Sequence, residues 1–195
     1  MDGEIKNIFL SASIPSVDRS KEYYETVDVV AVRDAVIALA SIVLPHCRLI
    51  WGGHPSITPL IVAVLKNYGL VVNNHITLYQ SDYFVNDFPE ENKDIPHYVC
   101  VPSIDNDKDA SLALMRERMI NDNDFYAAFF IGGMEGVERE YAMFCAAHPD
   151  AKVFPLATTG AASRKIFCTD KFNPRLGEDM AYMSLFHDLL EEILI

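Results

Sequence analysis

Short apolar runs alternate along this chain with longer stretches of helical spacing, and that alternation predicts its elements. Apolar runs at residues 5–10, 47–51, 75–79, 98–101, 125–131 and 152–157 read as strands. Between them, residues 27–44, 57–65, 110–121 and 137–147 carry apolar positions at helical spacing, and residues 180–195 repeat that pattern as a terminal amphipathic helix. Pro45 stops the first long helix, and Pro55 suits the first turn of the second. Residues 14–26, 80–96 and 164–179 are polar or proline-bearing and read as loops, the first with room for a helical turn. Strands that alternate with helices call for a single Rossmann-like α/β domain over residues 1–195, a doubly wound, mainly parallel sheet with helices on both faces.

The run at 125–131 is apolar and aromatic throughout, as expected of a strand buried on both faces, and it stops at Gly132 and Gly133. After Met134, Glu135 and Gly136 a helical pattern begins. A strand, a glycine turn and a helix start together put backbone N–H groups and the positive end of a helix dipole at the carboxyl edge of a sheet, which makes a candidate anion cradle. Other strand ends also finish in small or polar residues: Ser11 to Ser13, Gly52 to His54, and Thr158 to Ser163 with Thr159 and Gly160 at its turn. Tyr79 and Gln80 end the third strand, with Tyr79 placed to stack on a base. In a doubly wound sheet the carboxyl ends of strands share one edge, so the four glycine- or serine-bearing loops converge on one crevice, beside the end of the third strand.

Composition narrows the function classes. The 195 residues are 50% hydrophobic and 23% charged, with a net charge of −12. Such a balance argues against a non-specific grip on nucleic acid or an anionic membrane, although a local basic pocket remains compatible with it. The four cysteines are scattered, the six histidines form no ligand-spaced group, and no apolar window reaches a membrane span. A cytoplasmic protein with reduced thiols and neither metal nor bound cofactor is expected. Neither GxGxxG after the first strand nor GxxxxGK[ST] is present, which argues against a nicotinamide dehydrogenase and a P-loop ATPase.

Residues 132–140, GGMEGVERE, resemble the PGGxGTxxE signature of the Lonely Guy (LOG) phosphoribohydrolases. Ile131 stands where that family has proline, and one residue is added before Gly136. Gly52 and Gly53 are similar to the family's early glycine turn, and Arg116 falls where the family places its catalytic arginine. Within the wider SLOG superfamily, FLSASIP at 9–15, GGHPSITPL at 52–60, YQS at 79–81, RERMI at 116–120 and TTGAAS at 158–163 resemble the nucleotide-sensor branch of bacterial conflict systems. The resemblance implies a nucleotide or NAD-derived ligand bound at the sheet edge, a homo-oligomer, and a separate effector protein. The ligand contacts it implies are Ser11, Ser13, Gly52, Gly53, His54, Tyr79, Gln80, Arg116, Gly132, Gly133, Glu135, Gly136, Thr159 and Gly160. Two alternatives stay open. One is a LOG-type hydrolase of the N-glycosidic bond of a nucleoside 5′-monophosphate, with Glu140 and Arg116 catalytic; the other is a structural subunit with a vestigial pocket.

Overall fold

The computed structural model of the chain describes residues 5–68 and 74–194. Its six strands are β1 (Asn7–Ser13), β2 (Arg48–Trp51), β3 (Ile76–Ser81), β4 (Tyr98–Val101), β5 (Ala127–Gly132) and β6 (Lys152–Leu156). They form one sheet in the order β4-β3-β2-β1-β5-β6, with every neighbouring pair parallel. The chain leaves β1 towards β2 and later returns on its other side as β5. The β1–β5 boundary is therefore the switch point of the sheet, where such folds open a crevice at the carboxyl edge.

The helices are α1 (Lys21–Tyr24), α2 (Val29–Val43), α3 (Thr58–Tyr68), α4 (Lys108–Asn121), α5 (Glu135–Ala147), α6 (Ala161–Phe167), α7 (Arg175–Glu178) and α8 (Tyr182–Leu190). Alternation along the strands feeds two cores. Ile8, Leu10, Leu49, Phe129 and Ile131 face α2, α3 and α8, while Phe9, Ile50, Ala128 and Phe130 face α4, α5 and α6. Central strands buried on both sides explain why their sequences read as unbroken apolar runs. Asp28 caps α2 through Ala31 N–H at 2.9 Å, and Asp107 caps α4 through Ala110 N–H at 2.9 Å.

Several boundaries differ from those the sequence predicts. β1 runs on to Ser13, because Ser13 pairs with Gly132 and its carbonyl accepts Gly133 N–H at 2.8 Å. The terminal helix closes at Leu190 and continues as a 3-10 turn, Glu191–Ile193; residue 195 lies outside the described residues, as does Gly69 after α3. α6 forms where the sequence reads as a turn leading into a loop. It is anchored by tertiary contact, as the Ser163 hydroxyl donates to the Phe130 carbonyl at 2.5 Å. The loop after β3 winds into two 3-10 turns, Asp82–Asp87 and Glu90–Asp94.

Candidate functional site

A pocket of about 430 Å³ lies at the carboxyl edge, in the size range of small-molecule sites. β1 contributes Leu10, Ala12 and Ser13 to its wall, and the β2 turn contributes Trp51, Gly52, Gly53, His54 and Pro55. From β3 and the turn beyond it come Gln80, Ser81, Phe84, Asp87, Phe88 and Pro89. The opposite wall is Lys108, Leu112, Met115 and Arg116 of α4 with Met134, Gly136, Val137 and Glu140 at the start of α5, and Arg19 reaches in from the β1–α1 loop.

Arg116 and Glu140 form the charged centre of this wall. Arg116 Nε donates to Glu140 Oε1 at 3.0 Å, and the side chains are only 12% and 13% exposed. The second carboxylate oxygen accepts from the Ser11 hydroxyl at 2.5 Å, so both oxygens of Glu140 are engaged. The outer guanidinium nitrogens of Arg116 make no hydrogen bond among the described residues. A Cβ on residue 136 would stand 3.0 Å from Arg116 Nη2, so glycine there is what lets the guanidinium lie against the first turn of α5. A fork of N–H donors beside a helix N-terminus is suited to a phosphate or carboxylate.

His54 and Gln80 line the far side. The Ser56 amide donates to His54 Nδ1 at 3.2 Å, which leaves the neutral ring its proton on Nε2. Burial, with a smaller effect of the nearby Arg19 charge, pushes the His54 pKa down to about 4. At neutral pH the imidazole is an uncharged donor and acceptor. Asn92 Nδ2 donates to Gln80 Oε1 at 2.6 Å, and this bond orients the Gln80 amide. Its Nε2 lies where a Cβ on residue 53 would sit, and Gly53 has φ +61°, so only glycine fits that turn beside Gln80. Phe84 and Phe88 give the same side an aromatic surface.

Of the residues the sequence singles out, Ser13, Gly52, Gly53, His54, Gln80, Arg116, Gly136 and Glu140 come together on the pocket wall. The others are placed elsewhere. Ser11 is buried and reaches the site only through Glu140. Tyr79 is buried in the second core, where its hydroxyl accepts from Asn123 Nδ2 at 3.1 Å beyond the end of α4, so it offers no stacking face to the pocket. Gly132 N–H donates to Thr159 Oγ1 at 2.9 Å and Gly133 N–H to the Ser13 carbonyl, so these two amides of the glycine turn are used inside the fold. Glu135 is exposed and off the wall. Thr159 is fully buried, and Gly160, at φ +72°, has the Thr26 carbonyl where a side chain would be; both are structural.

Sequence reasoning missed Phe84, Phe88, Lys108 and Met115 as wall residues, and gave Arg19 no role. For Phe84, Phe88 and Arg19 the available signal was aromatic and basic residues in polar loops, whose positions depend on how those loops fold back; Lys108 and Met115 lie on α4, and only packing shows which face of that helix meets the pocket. Among the described residues, no group of three His, Cys, Asp or Glu side chains is arranged to hold a metal, and no helix is long and apolar enough to cross a membrane.

A model of the SLOG cluster3 family matches residues 22–190, a span that takes in the whole of the pocket wall from the β2 turn to α5. The chain belongs to the SLOG cluster3 family. The X-ray structure of TM1055, a structural-genomics target, is similar in fold to this SLOG chain, with a TM-score of 0.62 over 95% of this chain and 99% of that one. Identity between the two is 13%, so the likeness is one of architecture. No curated protein matches this SLOG chain.

Proposed function

We propose that this SLOG chain binds a nucleotide or NAD-derived nucleotide in the pocket at the carboxyl edge and acts as a sensor that passes occupancy to a partner protein or to its own assembly. The observation that carries the reading is the guanidinium of Arg116. Glu140 holds it from behind through Nε, and its outer nitrogens are left beside the glycine of the first turn of α5. That end of the pocket suits a phosphate. Phe84, Phe88 and Met115 supply an apolar wall suited to a base.

A second reading, hydrolysis of an N-glycosidic bond, draws on Glu140, a carboxylate set in the wall of the same pocket. Ser11 and Arg116 occupy both of its oxygens, and this favours a positioning role for Glu140 over activation of water. One experiment separates the two. Candidate nucleotides are titrated into the protein by calorimetry, and each mixture is then resolved by chromatography. Arg116→Lys is compared with the wild type because lysine keeps a charge opposite Glu140 while removing the planar fork. Loss of about tenfold in affinity with the nucleotide recovered intact is the result expected. Unchanged affinity removes Arg116 from the site, and release of free base that Glu140→Gln abolishes establishes the hydrolase.

A further inference from the structure

The charge of the pocket is distributed against the charge of the chain. The whole protein carries −12, yet three cationic side chains, Arg19, Lys108 and Arg116, meet two carboxylates, Asp87 and Glu140, on the wall. Arg116 is paired with Glu140 in the half-buried part of the site. Neither Arg19 nor Lys108 has a carboxylate partner among the described ion pairs, and both are exposed at the rim. The fold sets the backbone spacing of two of these cations. Lys108 and Arg116 project from one helix, α4, eight residues apart, a rise of about 12 Å along its axis. A ligand whose anionic groups lie apart meets both positions without either side chain folding back along the helix. Unpaired cations at the rim of a pocket in an acidic protein raise the local potential for an anion.

We propose that the site takes a nucleotide with anionic groups at both ends, one held by Arg116 at the first turn of α5 and the other by Arg19 and Lys108 at the rim. This rests on the nucleotide reading above and adds the ligand class to it. The apolar wall between the two charged ends, Leu112 and Met115 of α4 facing Phe84 and Phe88, then covers the base and sugar. A mononucleotide fills the Arg116 end and leaves the rim cations to water.

The test is a calorimetric comparison of AMP, ADP and adenosine 3′,5′-bisphosphate, with the guanosine counterparts alongside. ADP is the control that adds charge without separating it. The expected result is that a 3′,5′-bisphosphate binds about tenfold or more tighter than the matching mono- and 5′-diphosphate, and that Arg19→Ala and Lys108→Ala each shrink this ratio. Melting curves verify that the variants, both at exposed positions, are folded. Equal affinity for AMP and the bisphosphate, an ADP affinity that matches the bisphosphate, or a ratio unchanged in both variants overturns the inference while leaving a nucleotide site standing. Failure of every nucleotide to bind overturns the nucleotide reading and this inference with it.

Discussion

At the scale of single residues, His54 and Gly136 show how local chemistry is set by what stands next to it. A histidine with its pKa lowered to about 4 stays neutral in the folded protein while its unfolded counterpart, near 6.5, takes up a proton. Between those values the unfolded state binds more protons, so stability falls as pH drops from 6.5 to 4, by up to about 3 kcal/mol from this group. His54→Gln is expected to flatten that part of the stability curve, read from urea unfolding at pH 4.5 and 6.5; an unaltered slope assigns it to other groups. Gly136→Ala is expected to act on binding instead. Alanine improves the helix by about 0.5–1 kcal/mol, but its Cβ would press on Arg116 Nη2, the mobile end of a long side chain. The melting temperature should hold or rise while nucleotide affinity falls, and a variant with wild-type affinity would show that the guanidinium moves aside without loss. Both residues were visible in the sequence as neighbours of a glycine turn. Their roles were not, since Arg116 lies twenty positions away from Gly136 along the chain.

At the scale of elements, the junction between β5 and α5 separates what a glycine motif suggests from what it does. A strand, two glycines and a helix start are legible as a turn, and the turn is there, with Gly132 at φ +58° and Gly133 at φ +88°. Its amides, however, are spent on Thr159 and Ser13. Thr159 also donates to the Leu156 carbonyl at 2.5 Å, so one buried hydroxyl ties the end of β6 to the end of β5. Thr159→Val would leave the Gly132 N–H without a partner and is expected to cost about 1–3 kcal/mol. Chemical denaturation measures this directly, and a loss under about 0.5 kcal/mol would mean that the turn relaxes to another acceptor. The long helices were legible because each buries a face with helical period, and the central strands because burial on both sides makes them short unbroken apolar runs. α6 was not, because its seven residues are held by the sheet beneath them more than by any capping signal of their own.

At the scale of the whole molecule, the sheet order places the site. The reversal between β1 and β5 gathers the ends of three strands and the N-terminal parts of α4 and α5 around one pocket. A ligand bound there contacts segments far apart in sequence, so occupancy is linked to global unfolding. At 100 times its dissociation constant such a ligand adds about 2.7 kcal/mol to stability, a rise of roughly 5–10 °C in melting temperature for a chain of this length. A thermal scan with and without saturating nucleotide checks this, and a shift limited to the Lys108→Ala or Arg116→Lys background would contradict it. The sequence by itself determined the class of fold, the parallel sheet and the carboxyl edge as the edge where loops gather around a pocket, since hydrophobic periodicity and strand–helix alternation are local properties. It also marked Arg116, Glu140, His54 and the glycines of the β2 turn. Only the tertiary structure decided that Ser11 serves Glu140, that Tyr79 and Thr159 belong to the interior, and that Arg19, Lys108, Phe84 and Phe88 share the wall. Direction and distance between side chains from separate elements arise from packing, and no spacing along the chain encodes them.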